Sequence, residues 1–487
     1  MVNGLLGIVV TRLIIGEYGS DFNGLNSAAN QIVNVLLVVE GGFTLASNVA
    51  LFLPLTNQDY DRANRILSKT RRKFKLIGIL FLLLGIVTTF AFTILANSAL
   101  DRELVFSVIF MALAPAAFNL YYATTYRVLL QAQQKEYIIN FITMLTISIG
   151  YIGNICLICL HGPVWLIRAI TMISALLNSL LIAHFVKKNN PFLDLDDGNN
   201  DEPINGTKDV MVQKITSVLY MSAPIVFISI SKTGGTVLAS VYAVYNNVFN
   251  MIKSLIRGII DAPRLGIGQM LSERSRKEVW EVFSEYEFIV SGVVFAVITT
   301  ACVLIMPFVL LYTNGITDAN YYDTTIALLM TFIAFFELIH IPSGHLLNMA
   351  GEFRVSKNIQ VISMCVLVVL MSVLGMMKGI YGLLYAVLTV AILLAVMEIG
   401  YIHVVFFENK VLDYLRITMP FTLSTALFSW LECKLVGNID GIMMFILYGL
   451  LITVLNTLIG VIIGFVLNNK MWKKVLNRCM SLNRRHT

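Results

Sequence analysis

Fourteen apolar stretches, most of them long enough to cross the hydrocarbon core of a bilayer, constrain this chain more than any other feature. They lie at 3–15, 29–53, 75–97, 104–131, 136–160, 164–186, 214–231, 236–270, 287–312, 323–349, 355–376, 380–406, 414–431 and 441–468. A spanning helix needs about 20 mainly apolar residues, so hydropathy predicts an all-α integral membrane protein of about 14 transmembrane helices. Composition agrees: 13% of the 487 residues are charged and 57% are hydrophobic, whereas a soluble domain carries about 25% charged residues. The first segment, from Leu5 to Ile15, lacks the basic flank and small-residue cleavage site of a signal peptide and reads as the first span. It is short for a span, and the chain is expected to lack a few residues at its start.

The placement of Lys and Arg fixes an orientation. Of 35 such residues, 26 fall in alternate loops and the C-terminal tail, while the opposite set of loops holds five: Arg102, Arg168, Lys232, Lys378 and Lys434. By the positive-inside rule both termini of this multi-pass membrane protein are cytoplasmic. The net charge of +6 therefore belongs to a membrane face, and no nucleic-acid partner is expected. The longest hydrophilic interruption, 187–213, is acidic and Asn-rich and reads as a cytoplasmic linker, where the sequon at Asn205 has no meaning. The tail from Lys470 to Arg478 reads as a basic interfacial helix on anionic lipid. Six scattered cysteines, with Cys156 and Cys159 as a lone CxxC, read as packing residues, so neither metal nor cofactor is expected.

The chain also matches itself at an offset of 216 or 217 residues. Leu25–Asn34 (LNSAANQIVN) aligns with Val241–Asn250 (VYAVYNNVFN), and Leu129–Glu136 aligns with Leu346–Phe353. Six segments separate the copies, an even number, so the halves run in the same direction, as in transporters built from parallel repeats around a central pathway. The expected organisation is a lobe at 1–186, the linker at 187–213, a second lobe at 214–406, and two extra helices with the basic tail at 407–487.

Several motifs carry a family resemblance. Tyr18-Gly-Ser-Asp-Phe-Asn-Gly-Leu25, Glu40-Gly-Gly-Phe43, Leu51-Phe-Leu-Pro54 and Asp59-Tyr-Asp61 resemble the opening of Wzx-type polysaccharide flippases, and Ile341-Pro342 with Asn348-Met-Ala-Gly-Glu-Phe353 resembles their second half. These flippases belong to the multidrug/oligosaccharidyl-lipid/polysaccharide exporter (MOP) superfamily. The resemblance implies fourteen helices in two six-helix lobes plus two, and cavity arginines on the first, second and eighth helices that serve a lipid diphosphate. Arg12, Lys253 and Arg257 match by helix, while the second helix offers Glu40 in place of a cation.

Charge inside a span is expensive and normally faces water or a partner. In the eighth segment Lys253, Arg257, Asp261 and Arg264 recur at spacings of four, four and three on one face, a stripe with three cations and one carboxylate. The expectation is that Asp261 neutralises Arg257 or Arg264, leaving a cationic surface for a diphosphate head group. Arg12 either faces the same pathway or snorkels. Glu40 reads as a proton or sodium site, a counter-charge to Arg12, or a local ion pair. Glu337, His340 and His345 follow the tenth segment, where Pro342 and Gly344 suggest a bend and His345 is more commonly a packed histidine; Glu398 and His403 read as interface residues.

No phosphate-binding loop for ATP is present, and every outward loop is short, which argues against a membrane polysaccharide polymerase. The reading is a transporter, not an enzyme, that flips an undecaprenyl-diphosphate-linked oligosaccharide from the inner to the outer leaflet by alternating access. Capsule, exopolysaccharide or O-antigen assembly would be its setting. Its expected partners are the lipid-linked glycan, the bilayer, and a polysaccharide polymerase and glycosyltransferases. The nearest alternative is a cation-coupled multidrug exporter, for which carboxylates in the pathway would be expected instead of a cationic stripe.

Overall fold

A computed structural model describes residues 2–40, 42–195, 208–437, 439 and 441–486. The chain is all-α. Its helices are α1 (Val2–Leu36), α2 (Phe43–Thr56), α3 (Tyr60–Leu95), α4 (Arg102–Phe118), α5 (Thr124–Ala132), α6 (Glu136–Cys159), α7 (Val164–Asn189), α8 (Lys208–Ile230), α9 (Gly235–Asp261), α10 (Arg264–Glu273), α11 (Arg276–Tyr312), α12 (Thr324–Ile339), α13 (Ile341–Met349), α14 (Phe353–Gly400), α15 (Val411–Leu435), α16 (Ile442–Leu467) and α17 (Asn469–His486). Each of the fourteen apolar segments lies on helix. Most of the acidic linker, 196–207, lies outside the described residues.

Hydropathy located the helices but misjudged where several of them end. α3 and α11 start well before their apolar runs, so Arg62 to Lys75 and Arg276 to Lys277 sit on helix rather than in loops. At about 1.5 Å per residue, helices of 36 and 37 residues outrun a hydrocarbon core of about 30 Å, and hydropathy registers only the part in lipid. Conversely, the apolar segment 236–270 is broken by Pro263, which separates α9 from α10. Gly19 and Gly379, which leave the helical region inside α1 and α14, fall between predicted segments. Among the described residues nine helices are long and apolar enough to cross a membrane. α1, α9 and α15 are not among the nine.

The internal repeat is visible element by element. α3 and α11 start at Tyr60 and Arg276, α5 and α13 end at Ala132 and Met349, and α6 and α14 start at Glu136 and Phe353. Each pair is separated by 216 or 217 residues. The same offset relates two glycines held at positive φ, Gly19 at 85° and Gly235 at 78°, each at the start of a helical stretch rich in polar residues.

The chain packs as two compact units, Met1–Ala243 with Ile316–Ala319, and Val244–Gly315 with Asn320–Thr487. The first is built on Phe22, Leu67, Phe74, Phe81, Leu113 and Leu129, all essentially fully buried. In it the helix that follows Gly19 is capped by Asp318, which accepts from the Ser20 backbone N–H at 2.6 Å and its hydroxyl at 2.7 Å. Asp21 accepts from Ser98 Oγ at 2.9 Å, the Ala99 N–H at 2.7 Å and the Thr236 hydroxyl. Beside this cap α1 meets the start of α9 backbone to backbone, and Asn23 Nδ2 donates to Ser240 Oγ at 2.6 Å. In the second unit α11 is the central helix, packed against α12, α15 and α16, with Phe288, Phe295, Phe421 and Ile463 as one cluster. The apolar face of α17 turns onto that cluster through Met471, Trp472 and Val475, and Arg478 donates to Glu285 at 3.1 Å.

A methyl group at Gly24 would stand 1.6 Å from the Thr236 carbonyl oxygen, whereas Gly258 has nothing within 4 Å. Gly24→Ala is therefore expected to lower stability by about 1–3 kcal/mol through overpacking, and Gly258→Ala to be neutral or to gain up to about 1 kcal/mol of helix propensity. Melting of the two purified variants in detergent checks the contrast.

Candidate functional site

The residues expected to bind substrate on α9 are present as a stripe, but their partners come from other helices. Lys253 is buried, and its Nζ stands 2.6 Å from Glu337 Oε2 on α12. Asp261 does not neutralise Arg257 or Arg264; its Oδ1 lies 3.2 Å from His345 Nε2 on α13. For Arg264 the physical reason is the break at Pro263. α9 stops at Asp261 and α10 starts at Arg264, so the three-residue step between them crosses a turn and is not a helical neighbour contact.

The bend in the tenth segment falls at His340, between α12 and α13. His340 Nδ1 lies 2.7 Å from Glu398 Oε2 on α14. Deeper in the unit, His403 Nε2 and Glu287 Oε1 are 3.0 Å apart, with both side chains buried. Glu337, Asp261, Glu398 and Glu287 are thus each matched to a basic side chain. Arg257 is exposed and has no ion pair or hydrogen bond among the described residues. Arg264 likewise has no carboxylate there, and its Nε is buried without a hydrogen-bond partner. The charge left over on the stripe is therefore cationic, but it resides on Arg257 and Arg264 and not on Lys253.

The first unit holds the other expected site residues. The Arg12 guanidinium lies along its own helix, 2.9 Å from where a Cβ on Gly16 would stand. Glu40 ends a 3₁₀ turn after α1 and pairs with Lys214 of α8 at 3.4 Å, so it is not the counter-charge to Arg12; its Oε1 is buried without a hydrogen-bond partner.

Two features escaped the sequence reading. The His340–Glu398 contact joins residues 58 apart in sequence, and only the charge of Glu398 within an apolar run hinted at it. Arg168, counted with an outward loop, lies inside α7 and is 3% exposed. Its Nη2 donates to Asn30 Oδ1 at 2.8 Å and its Nε to the Val108 carbonyl at 3.5 Å. A position five residues past Pro163 looks like a loop end to a hydropathy window.

Compared by sequence, the chain matches no family model and no curated protein. Compared by structure, it is similar to the lipid II flippase MurJ in an inward closed conformation, at 13% identity and TM-score 0.67, covering 95% of this chain and 97% of that one. It is also similar to an inward-facing multidrug resistance MATE family transporter of the MOP superfamily, at 15% identity and TM-score 0.66, covering 87% and 96%. This chain has the fold of the MOP superfamily transporters. A third member, a MOP superfamily transporter from Pyrococcus furiosus described as having a binding pocket of reverse polarity, matches at 14% identity and TM-score 0.54, covering 87% and 94%. In this chain the charges on α9 and α10 that lack a carboxylate among the described residues are guanidinium groups.

Removing one partner of a buried pair strands the other charge. Lys253→Met is expected to cost about 3–5 kcal/mol, seen as a lower unfolding midpoint in detergent, and the double variant Lys253→Met, Glu337→Leu to recover most of it. A single variant that melts with the wild type would mean the pair carries no stability.

Proposed function

We propose that this protein is a flippase that carries a polyprenyl-diphosphate-linked oligosaccharide from the inner to the outer leaflet of a bacterial inner membrane, with both termini in the cytoplasm. The observation that carries this reading is Arg257, an exposed guanidinium on a membrane helix with no carboxylate partner. A diphosphate head group is at least doubly anionic, and the forked donors of Arg suit it better than an ammonium does. The polyprenyl tail stays in lipid while the glycan, insoluble in hydrocarbon, needs a polar route. The MOP fold shared with MurJ supports transport of this general kind, and the opening motifs that resemble Wzx-type flippases support an oligosaccharide cargo for capsule, exopolysaccharide or O-antigen assembly. A polysaccharide polymerase and glycosyltransferases would then act beside it.

On this reading Arg257 is the principal diphosphate ligand and Lys253 sets the local charge through its pair with Glu337; Arg12, in the first unit, is a separate substrate-binding candidate. Asp261, Arg264, Glu337 and His345, with Glu40 in the first unit, are structural or ion-coupling groups. The second reading, a cation-coupled multidrug exporter, draws on the equal likeness to the MATE transporter. It is disfavoured because Asp261, Glu287, Glu337 and Glu398 of the second unit are each tied to a base, while the buried Glu432 is held by Asn456.

Arg257→Ala is expected to abolish surface glycan per folded transporter, a loss of at least about tenfold for a charge-assisted bond worth about 1.5–3 kcal/mol. Arg257→Lys should restore part of it. Surface polysaccharide, normalised to membrane-inserted protein, is the measurement; normal export by Arg257→Ala would remove the phosphate site.

A further inference from the structure

The repeated motif LNSAANQIVN has a consequence that the diphosphate reading does not absorb. In the part of α1 after Gly19, Asn23, Asn26, Ser27, Asn30, Gln31 and Asn34 all fall within a sector of about 140° at 3.6 residues per turn, opposite the buried Phe22, Leu25, Ala28, Ala29 and Ile32. Asn30 and Asn34 are exposed, Asn26, Ser27 and Gln31 half-buried. Polar residues on a membrane helix normally face water or a polar partner, and here they form a continuous line without a charge.

The hydrogen bonding along this line is incomplete in a defined way. Arg168, from behind, can only donate, so its 2.8 Å contact with Asn30 must use the amide oxygen. That leaves both N–H donors of Asn30 free. Asn34 Nδ2 donates to Gln31 Oε1 at 3.2 Å, which frees the Gln31 nitrogen and the Asn34 oxygen. Asn26 Oδ1 is buried and has no partner at all. Unused donors and acceptors therefore alternate along the helix, repeating about every 6 Å for residues four apart.

We propose that this face of α1 is a carbohydrate-binding surface that holds the glycan of the cargo through Asn26, Asn30, Gln31 and Asn34, with Arg168 as a positioning residue. Sugar hydroxyls both donate and accept, as amides do, whereas a phosphate would call for cations and an organic cation for carboxylates. The same helix of the second repeat, α9, continues its amides Asn246, Asn247 and Asn250 into Arg257. The line on α1 after Gly19 therefore carries the chemistry for hydroxyls alone, and its counterpart on α9 adds the chemistry for phosphate. The inference rests on the flippase reading for the class of cargo.

The test uses purified full-length protein in nanodiscs and two sets of probes: bare undecaprenyl diphosphate, and undecaprenyl diphosphate bearing glucose, galactose or N-acetylglucosamine. The wild type should bind at least one glycosylated probe about tenfold more tightly than the bare lipid, as one or two net hydrogen bonds provide. Asn30→Ala, Asn34→Ala removes two exposed amides and should lose that gain while keeping the affinity for the bare diphosphate. Asn30→Asp supplies a carboxylate to Arg168, so it should fold at least as well as the wild type yet lose the gain, because position 30 then offers the sugar no donor. A wild type without the gain for any of these sugars, or variants that retain it, would overturn the carbohydrate surface. Failure of the bare lipid to bind the wild type would instead overturn the diphosphate reading.

Discussion

Hydrocarbon offers no hydrogen-bond partner, and that constraint orders everything polar in this protein. Helices satisfy their own backbone in lipid, so the remaining demand falls on side chains. In the second unit it is met by pairs that reach between helices: Lys253 with Glu337, Asp261 with His345, His340 with Glu398, and Glu287 with His403. In the first unit Arg168 is satisfied by an amide and a carbonyl and has no carboxylate among the described residues. What these contacts leave over, the guanidinium of Arg257 and the amide line of α1, is the chemistry available to a cargo.

Duplication explains how two related helices came to carry different chemistry. α9 and the part of α1 after Gly19 occupy equivalent places in the repeat, each follows a glycine held at positive φ, and each presents its polar residues on one side. The shared geometry comes from the repeat, whereas the difference comes from a few side chains: Gln31 and Asn34 on one, Asn250, Lys253 and Arg257 on the other. Binding specificity can diverge in this way without disturbing the packing, since the buried faces of both helices remain apolar.

Much of the fold was legible in the sequence because the bilayer enforces length and apolarity together, and all fourteen apolar segments lie on helix. The offset of 216 or 217 was legible for the same reason, from two short matches. The errors arose where the chain leaves that regime. The basic ends of α3 and α11 continue as helix beyond the lipid, where hydropathy says nothing. Pro263 stops α9 within an apolar run and cancels a neighbour relation that spacing alone suggests. The candidate site was legible in its residues and not in its pairings. Lys253 and Glu337 are 84 residues apart, and no periodicity within one helix can reveal a contact made across two.

The claim that an uncompensated guanidinium makes this a carrier of anionic lipid-linked glycan is tested most directly by transport in proteoliposomes. One assay would follow a fluorescent polyprenyl-diphosphate-linked saccharide between leaflets, and a parallel assay would follow an organic cation such as ethidium. The account predicts protein-dependent movement of the diphosphate-linked saccharide and none of the cation. Movement of ethidium without movement of the lipid-linked saccharide would contradict it.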